Sequence, residues 1–119
     1  MKYFNRQTGR IAEQLATETL RKKGYQILER NFSNRYGEID IIAQDKETLV
    51  FVEVKAKTGI DFGSPEEMIN RNKLQKIQNM ATIYLHNMQA QRRSEVVATV
   101  LSPLNKIIRL NHYENVYTT

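Results

Sequence analysis

Two stretches of this chain place carboxylates and a lysine among apolar residues at the spacing of β-strands. They read Gly37-Glu38-Ile39-Asp40-Ile41-Ile42-Ala43 and Leu49-Val50-Phe51-Val52-Glu53-Val54-Lys55. Because successive side chains of a strand point to opposite faces, Glu53 and Lys55 share a face, and a hairpin would bring Asp40 beside them. Burying such charges is costly unless they pair or bind an ion. The pattern therefore indicates a site for a divalent metal and a phosphate.

Phosphodiester hydrolysis is the chemistry that these residue types suit. Mg2+ prefers hard oxygen ligands and is commonly held by one or two carboxylates, so Asp40 and Glu53 would suffice as protein anchors for Mg2+ or Mn2+. Lys55 would orient the attacking water or stabilise charge on the phosphoryl oxygens, and a general-base role would require a lowered pKa. The alternative for these three residues is a structural ion pair of Lys55 with Asp40 or Glu53.

Composition narrows the class of protein. A chain of 119 residues suits one compact domain, so we expect a single domain over residues 1–119. The absence of cysteine excludes disulfides and thiolate metal sites. The sequence contains neither a signal-peptide pattern nor a run of about 20 apolar residues, which predicts a cytoplasmic protein with no membrane partner.

The charge balance favours a polyanionic partner. The net charge is +5, from 18 Lys and Arg against 13 Asp and Glu. The alternative is that a basic surface only maintains solubility. Basic residues are dispersed and form no groove-reading motif, which predicts DNA contacts to phosphates that are largely independent of base sequence. The residues predicted to bind nucleic acid are Arg35, Lys57, Arg71, Lys73 and Lys76.

The first half of the chain is typical of a helix followed by a meander of strands. Apolar residues between Ile11 and Leu20 recur at helical spacing, and Gly24 closes this helix after three cationic residues. Three strands are expected at residues 25–32, 36–44 and 48–55, with a polar turn joining the last two.

The second half predicts a crossover helix and further strands. A polar loop is expected over residues 56–63, and Ser64-Pro65-Glu66-Glu67 predicts a helix start with a capping box. The helical region that follows has a potential break at Asn70-Arg71-Asn72. Its predicted buried stripe is Leu74, Ile77, Ala81, Tyr84, Leu85 and Met88. With strands at residues 95–101 and 106–112, we expect an α/β fold whose mixed central β-sheet is flanked by helices.

The order helix, three strands, helix, strand, with Asp40 ahead of Glu53-Val54-Lys55, resembles the core of the restriction-endonuclease-like nuclease superfamily. From about Asn5 to Leu101 the chain resembles, more narrowly, the YraN-like family of bacterial predicted endonucleases. The shared motifs are Gly9-Arg10-Ile11-Ala12-Glu13, Gly24-Tyr25, Arg30-Asn31-Phe32, Gly37-Glu38-Ile39-Asp40, Phe51-Val52-Glu53-Val54-Lys55 and Phe62-Gly63 followed by Lys73. The chain departs from the family's usual Arg-Phe-Asp-Val-Val in the fourth strand, where it has Arg93-Ser94-Glu95-Val96-Val97, and a site role for Glu95 is left open.

The resemblance implies a metal-dependent endonuclease that hydrolyses phosphodiester bonds in DNA, with branched or damaged structures among the expected substrates. It adds the carbonyl of Val54 as a metal ligand. By similarity to archaeal Holliday-junction resolvases, it also implies a homodimer and a catalytic, metal-binding role for Glu13 of the first helix. Lys73 looks like the family's helix lysine and would contact phosphate.

Each of these carried-over roles has an alternative. Glu13 could be a solvated glutamate that pairs with Thr17 or Arg10 on the helix surface, and Lys73 an ordinary surface lysine. Glu38 could be an additional ligand or a structural residue at the start of its strand. The alternative function is a nucleic-acid-binding protein of the same fold without efficient catalysis, acting in DNA repair or uptake, and a structural adaptor is the third class.

Overall fold

The structure, a computed structural model, describes residues 6–59, 63–86 and 90–116. It begins with one helix and three strands, continues through a single 3-10 turn and a second helix, and ends with two strands. The bounds are α1 Arg6–Lys22, β1 Gln26–Asn34, β2 Gly37–Asp45, β3 Thr48–Thr58, the 3-10 turn Pro65–Met68, α2 Arg71–Leu85, β4 Gln91–Leu101 and β5 Ile107–Val116.

The five strands form one mixed sheet in the order β1-β2-β3-β4-β5. β1, β2 and β3 are a local antiparallel meander, and β5 pairs antiparallel with β4. β3 and β4 run parallel, which requires a long crossover connection, and the 3-10 turn with α2 supplies it. The predicted α/β fold, with a mixed central sheet flanked by helices, is confirmed.

Each helix covers one face of the sheet. The apolar stripe of α1, with Ala16 and Leu20, packs on Ile41, Val52 and Val97. On the opposite face, the stripe of α2 packs on another set of residues from the same strands; this cluster contains Ile77, Met80, Ala81, Ile39, Ile42 and Phe51. The central strands are therefore buried on both faces, and any charged residue on them must find partners within the protein.

Helix ends follow the predicted signals. Gly24 adopts φ +96°, its N–H bonds the Arg21 carbonyl at 2.9 Å, and the Tyr25 N–H bonds the Leu20 carbonyl at 3.0 Å. This pair of bonds is a Schellman motif, which needs a left-handed residue that glycine adopts without strain. At the predicted break, Asn70 caps α2 by accepting a bond from the Lys73 N–H at 2.9 Å.

Some predicted boundaries were wrong. β3 extends to Thr58, so the first residues of the predicted polar loop 56–63 belong to the strand, because parallel pairing with β4 continues to Thr58 and Leu101. β4 begins at Gln91 rather than at residue 95 for the same reason, and β5 runs to Val116. Met88 of the predicted stripe lies outside the described residues. Among the residues that the structure describes, no helix is long and apolar enough to cross a membrane.

Glu95 belongs to a buried polar cluster on the sheet. Its carboxylate is fully buried and accepts bonds from the Arg93 Nε at 2.6 Å and the Tyr25 hydroxyl at 3.1 Å. His112 Nε2 of β5 lies 2.6 Å from Oε1 of the same carboxylate, and Arg93 also bonds Asp45 at 2.7 Å. Burial raises the pKa of Glu95, but the bonds from His112 and Arg93 outweigh it, so this pKa lies below its ordinary value. The cluster ties β4 to β5 and to the start of β1.

Replacing Glu95 by alanine should destabilise the fold by about 3–5 kcal/mol, because it empties a fully buried position and removes the carboxylate partner of the buried His112 side chain and of the partly buried Arg93. Urea unfolding at pH 7 measures the change. Glu47→Ala, in the exposed turn between β2 and β3, is the matched control and should change stability by less than about 0.5 kcal/mol. Equal stability of both variants would show that the cluster contributes nothing net.

Candidate active site

The candidate site lies where β2 and β3 stop pairing. Their paired residues run from Asp45 and Thr48 to Ile41 and Val52. Asp40 and Glu53 are the next residue on each strand, and beyond them β2 pairs with β1 while β3 pairs with β4. We call Asp40, Glu53, Val54 and Lys55 the fork. The Val54 N–H donates to Asp40 Oδ2 at 2.8 Å, so a side chain of β2 takes the place of a backbone acceptor.

Glu53 and Lys55 face the same side of β3, as the period of a strand predicts, and they are paired. Lys55 Nζ lies 3.2 Å from Glu53 Oε2, and both side chains are largely buried. Burial lowers the pKa of Lys55, but the Glu53 carboxylate outweighs this effect, so the pKa lies above its ordinary value. Lys55 is therefore an ammonium ion at neutral pH in the metal-free protein, and burial alone does not give it the lowered pKa that a general base requires.

Asp40 carries the opposite perturbation. Burial and the neighbouring Glu53 carboxylate raise the pKa of Asp40 to about 7, against the bond from the Val54 N–H, which lowers it. Two carboxylates that lie close together in a buried place repel each other, and a divalent cation bound by both would remove this repulsion. The hard oxygen ligands of the fork fit Mg2+ or Mn2+ in this respect.

The donor set at the fork is small. Within residues 6–59, 63–86 and 90–116, no group of three or more His, Cys, Asp or Glu side chains is arranged to hold a metal ion. Glu38 lies exposed beside the fork and also raises the pKa of Asp40. One or two carboxylates are nevertheless the usual protein contribution to a Mg2+ site.

Glu13 reaches the same cleft from α1, and its carboxylate is bonded to residues of β1. It accepts bonds from the Arg30 guanidinium at 3.1 Å and from the Asn31 amide at 2.9 Å. Of the predicted alternative partners, Thr17 bonds the backbone carbonyl of Glu13, at 2.8 Å, and not its carboxylate. Arg30 and Asn31 belong to β1, and their bonds to Glu13 depend on how α1 packs on the sheet.

Lys73 of α2 lies against Lys55. Burial and the contact with Lys55 lower the pKa of Lys73. Two ammonium groups held together at the edge of an acidic pair repel each other unless an anion joins them. The arrangement suits a phosphate that bridges the two lysines.

A cleft of about 740 Å3 opens over the fork between the two helices. Its lining combines acidic and basic side chains with small and apolar ones. The charged residues that line it are Glu13, Glu38, Asp40, Glu53, Arg6, Arg10, Lys55, Lys73 and Lys76. The sequence interpretation missed Arg6 and Arg10, although their spacing from Glu13 (i, i+4, i+7 along α1) was a signal that they share its face.

Only part of the predicted nucleic-acid-binding set lines this cleft. Lys73 and Lys76 line it from α2. Arg35 lies exposed in the turn between β1 and β2, Arg71 is the exposed first residue of α2, and Lys57 lies further along β3. The structure thus brings together the fork, Glu13 and the α2 lysines, and leaves the other predicted residues outside the lining.

Comparison with known proteins identifies the family. The model of the uncharacterised protein family UPF0102 matches residues 12–99. A UPF0102 protein of Caldanaerobacter subterraneus subsp. tengcongensis is 40% identical over 98% of this chain and 100% of its own length. One of Carboxydothermus hydrogenoformans is 41% identical over 93% of this chain and 95% of its own length. The chain belongs to the UPF0102 family, which is the YraN family, and the resemblance seen in its motifs is confirmed.

A solved structure was also found. The crystal structure of a repair endonuclease from Pyrococcus abyssi aligns with 87% of this chain at 12% sequence identity and a TM-score of 0.48. The chain spans 40% of the length of that protein.

Asp40→Asn should stabilise the metal-free protein at pH 8. The pKa of Asp40 is raised to about 7 in the folded state, whereas in the unfolded chain this carboxyl group loses its proton near pH 4. The stability of the wild type therefore falls as the pH rises from about 4 to about 7. Asparagine keeps an acceptor for the Val54 N–H without the charge. Urea unfolding in EDTA between pH 4 and 8 should show a gain that grows with pH. A loss of stability at pH 8 would favour the structural ion pair instead.

Proposed function

We propose that this chain is a metal-dependent endonuclease that hydrolyses phosphodiester bonds in DNA. The observation that supports the proposal is the fork, where two carboxylates and a protonated lysine are gathered in a largely buried place at the base of an open cleft. Burial and the Glu53 carboxylate raise the pKa of Asp40, and a divalent cation bound between the two carboxylates would offset their repulsion.

Each residue of the fork has a separate role in this proposal. Asp40 and Glu53, with the carbonyl of Val54, would hold Mg2+ or Mn2+. The bound cation would supply an acidified water and charge compensation for the phosphoryl oxygens. The Lys55 ammonium would orient that water or stabilise the phosphoryl oxygens, and Lys73 would hold the phosphate beside it. The bonds from Arg30 and Asn31 to Oε1 of Glu13 would hold its carboxylate at the cleft, where Oε2 would reach the metal.

The basic residues of the cleft would position the DNA backbone. Arg6 and Arg10 line it from α1, and Lys73 and Lys76 line it from α2. Contacts of this kind fix the register of a strand without reading its bases. The outer basic residues Arg35, Lys57 and Arg71 would extend the path beyond the cleft.

One feature favours a second candidate, a DNA-binding protein without efficient catalysis. Lys55 already pairs with Glu53 at 3.2 Å, as in a structural ion pair. The first experiment below separates the two functions.

Asp40→Asn, Glu53→Gln and Lys55→Ala should each lower the rate of metal-dependent DNA cleavage by roughly a hundredfold or more, since each removes a group that acts on the reacting phosphate or its metal. DNA binding in EDTA should survive or tighten in the two carboxylate variants, because each loses a negative charge facing the phosphate. The assay uses linear, nicked, flap and four-way DNA with Mg2+, Mn2+ or EDTA.

The controls are Lys46→Ala and Glu47→Gln, which lie exposed in the turn at the other end of β2 and β3 and should cut like the wild type. Binding without metal-dependent cutting of any DNA in the panel, and without a metal effect on thermal melting, would leave the second candidate. Four-way DNA should be preferred if two copies of the chain act together, which sedimentation of the complex would reveal as a homodimer.

DNA binding in EDTA should fall steeply with salt, and Arg10→Gln should reduce the slope of log K against log salt by about one unit, since it removes one phosphate contact. Arg21→Gln is the matched control, because Arg21 is an exposed arginine in the last turn of the same helix and lies outside the cleft lining. Its slope should equal that of the wild type. A binding constant that does not change between low and physiological salt would contradict binding through electrostatic contacts with the phosphates.

A further inference from the structure

The turn between β1 and β2 presents an aromatic ring to solvent. Tyr36 is 57% exposed, and it directly precedes Gly37 and Glu38, which line the cleft. Asp40 follows four residues later, so the Cα atoms of Tyr36 and Asp40 are at most about 14 Å apart. A ring this exposed contributes little to the core, and core packing does not account for it.

The ring is held in place by its own turn. The Tyr36 N–H donates to the Asn34 side-chain oxygen at 2.8 Å, which is an Asx-turn. Arg35 Nη2 donates to the Tyr36 hydroxyl at 2.9 Å, and the guanidinium carbon lies 5.0 Å from the ring centroid. Gly37 then adopts φ +152°, a conformation that side chains rarely tolerate. The turn therefore presents a preorganised aromatic and cationic surface.

That surface suits one kind of ligand at the rim of a basic cleft. Every nucleobase has a π-face that stacks on aromatic rings, and an arginine above the ring adds a cation for the neighbouring phosphate. Bases inside a duplex are stacked on one another, so away from the duplex ends their faces are open to a protein when the bases are unpaired.

We propose that Tyr36, supported by Arg35, stacks on an unpaired nucleobase of a strand whose backbone lies in the cleft. The substrate class would then be DNA with an unpaired nucleotide within a few positions of the phosphate at the fork. This inference rests on the proposed function because it takes the strand in the cleft to be DNA, but it does not require that the protein cleaves that strand. It assigns Tyr36 a binding role and Arg35 a supporting one.

The test is a binding titration in EDTA, in which no cleavage step is needed. The probes are a forked DNA with 2-aminopurine at successive positions of its single-stranded arm and a fully paired duplex with the same base. The wild type should quench 2-aminopurine near the junction, and Tyr36→Phe, which keeps the ring, should do the same. Tyr36→Leu should abolish the quenching and weaken binding to the forked DNA about tenfold, with little change in binding to the duplex.

Tyr113→Leu is the matched control, since Tyr113 is a 40% exposed tyrosine of β5 outside the cleft lining, and it should behave like the wild type. Three results would each overturn the inference: unchanged binding of the forked DNA by Tyr36→Leu, an equal loss of affinity for the forked DNA and the duplex, or no DNA binding by the wild type. Quenching by the wild type without metal-dependent cutting would support it while removing the nuclease function. DNA cutting that depends on Asp40, Glu53 and Lys55, with no effect of Tyr36→Leu, would overturn this inference and leave the nuclease function standing.

Discussion

The bond from the Val54 N–H to Asp40 is the interaction on which the site depends. At this point β2 and β3 diverge, and the donor meets a carboxylate instead of a backbone carbonyl. An unpaired N–H buried here would cost free energy, so the bond fixes the Asp40 side chain between the strands. It also holds that carboxylate beside Glu53, and their repulsion together with burial produces the raised pKa. The cleft opens over this separation of the strands.

Two charged clusters of the same sheet show how similar residue types reach opposite states. Glu95 receives bonds from arginine, tyrosine and histidine side chains, and its pKa is lowered. Asp40 receives a single backbone bond and faces further carboxylates, and its pKa is raised. The first cluster is complete within the protein, as expected of a structural tie between strands. The second places two carboxylates side by side, a donor set that suits a divalent cation, which is why the fork and not the Glu95 cluster is the candidate site.

Local rules in the sequence predicted the elements and the heart of the site. The stripe of α1 and its end at Gly24 follow from helical spacing and a left-handed cap, and the strands follow from alternation. Glu53 and Lys55 were expected on one face because the period of a strand is a property of its backbone alone. The ends of β3 and β4 differ from the prediction, because parallel pairing extends both strands through polar residues that are typical of loops.

What the sequence by itself determined is therefore local: the order of elements, their apolar faces, and the gathering of Asp40, Glu53 and Lys55 on neighbouring strands of one hairpin. Tertiary structure decided which distant groups join them. The contact of Lys73 with Lys55 and the capture of Glu13 by Arg30 and Asn31 depend on the docking of a helix onto a face of the sheet. No backbone period encodes that docking, because it is set by side-chain packing between elements far apart in the chain.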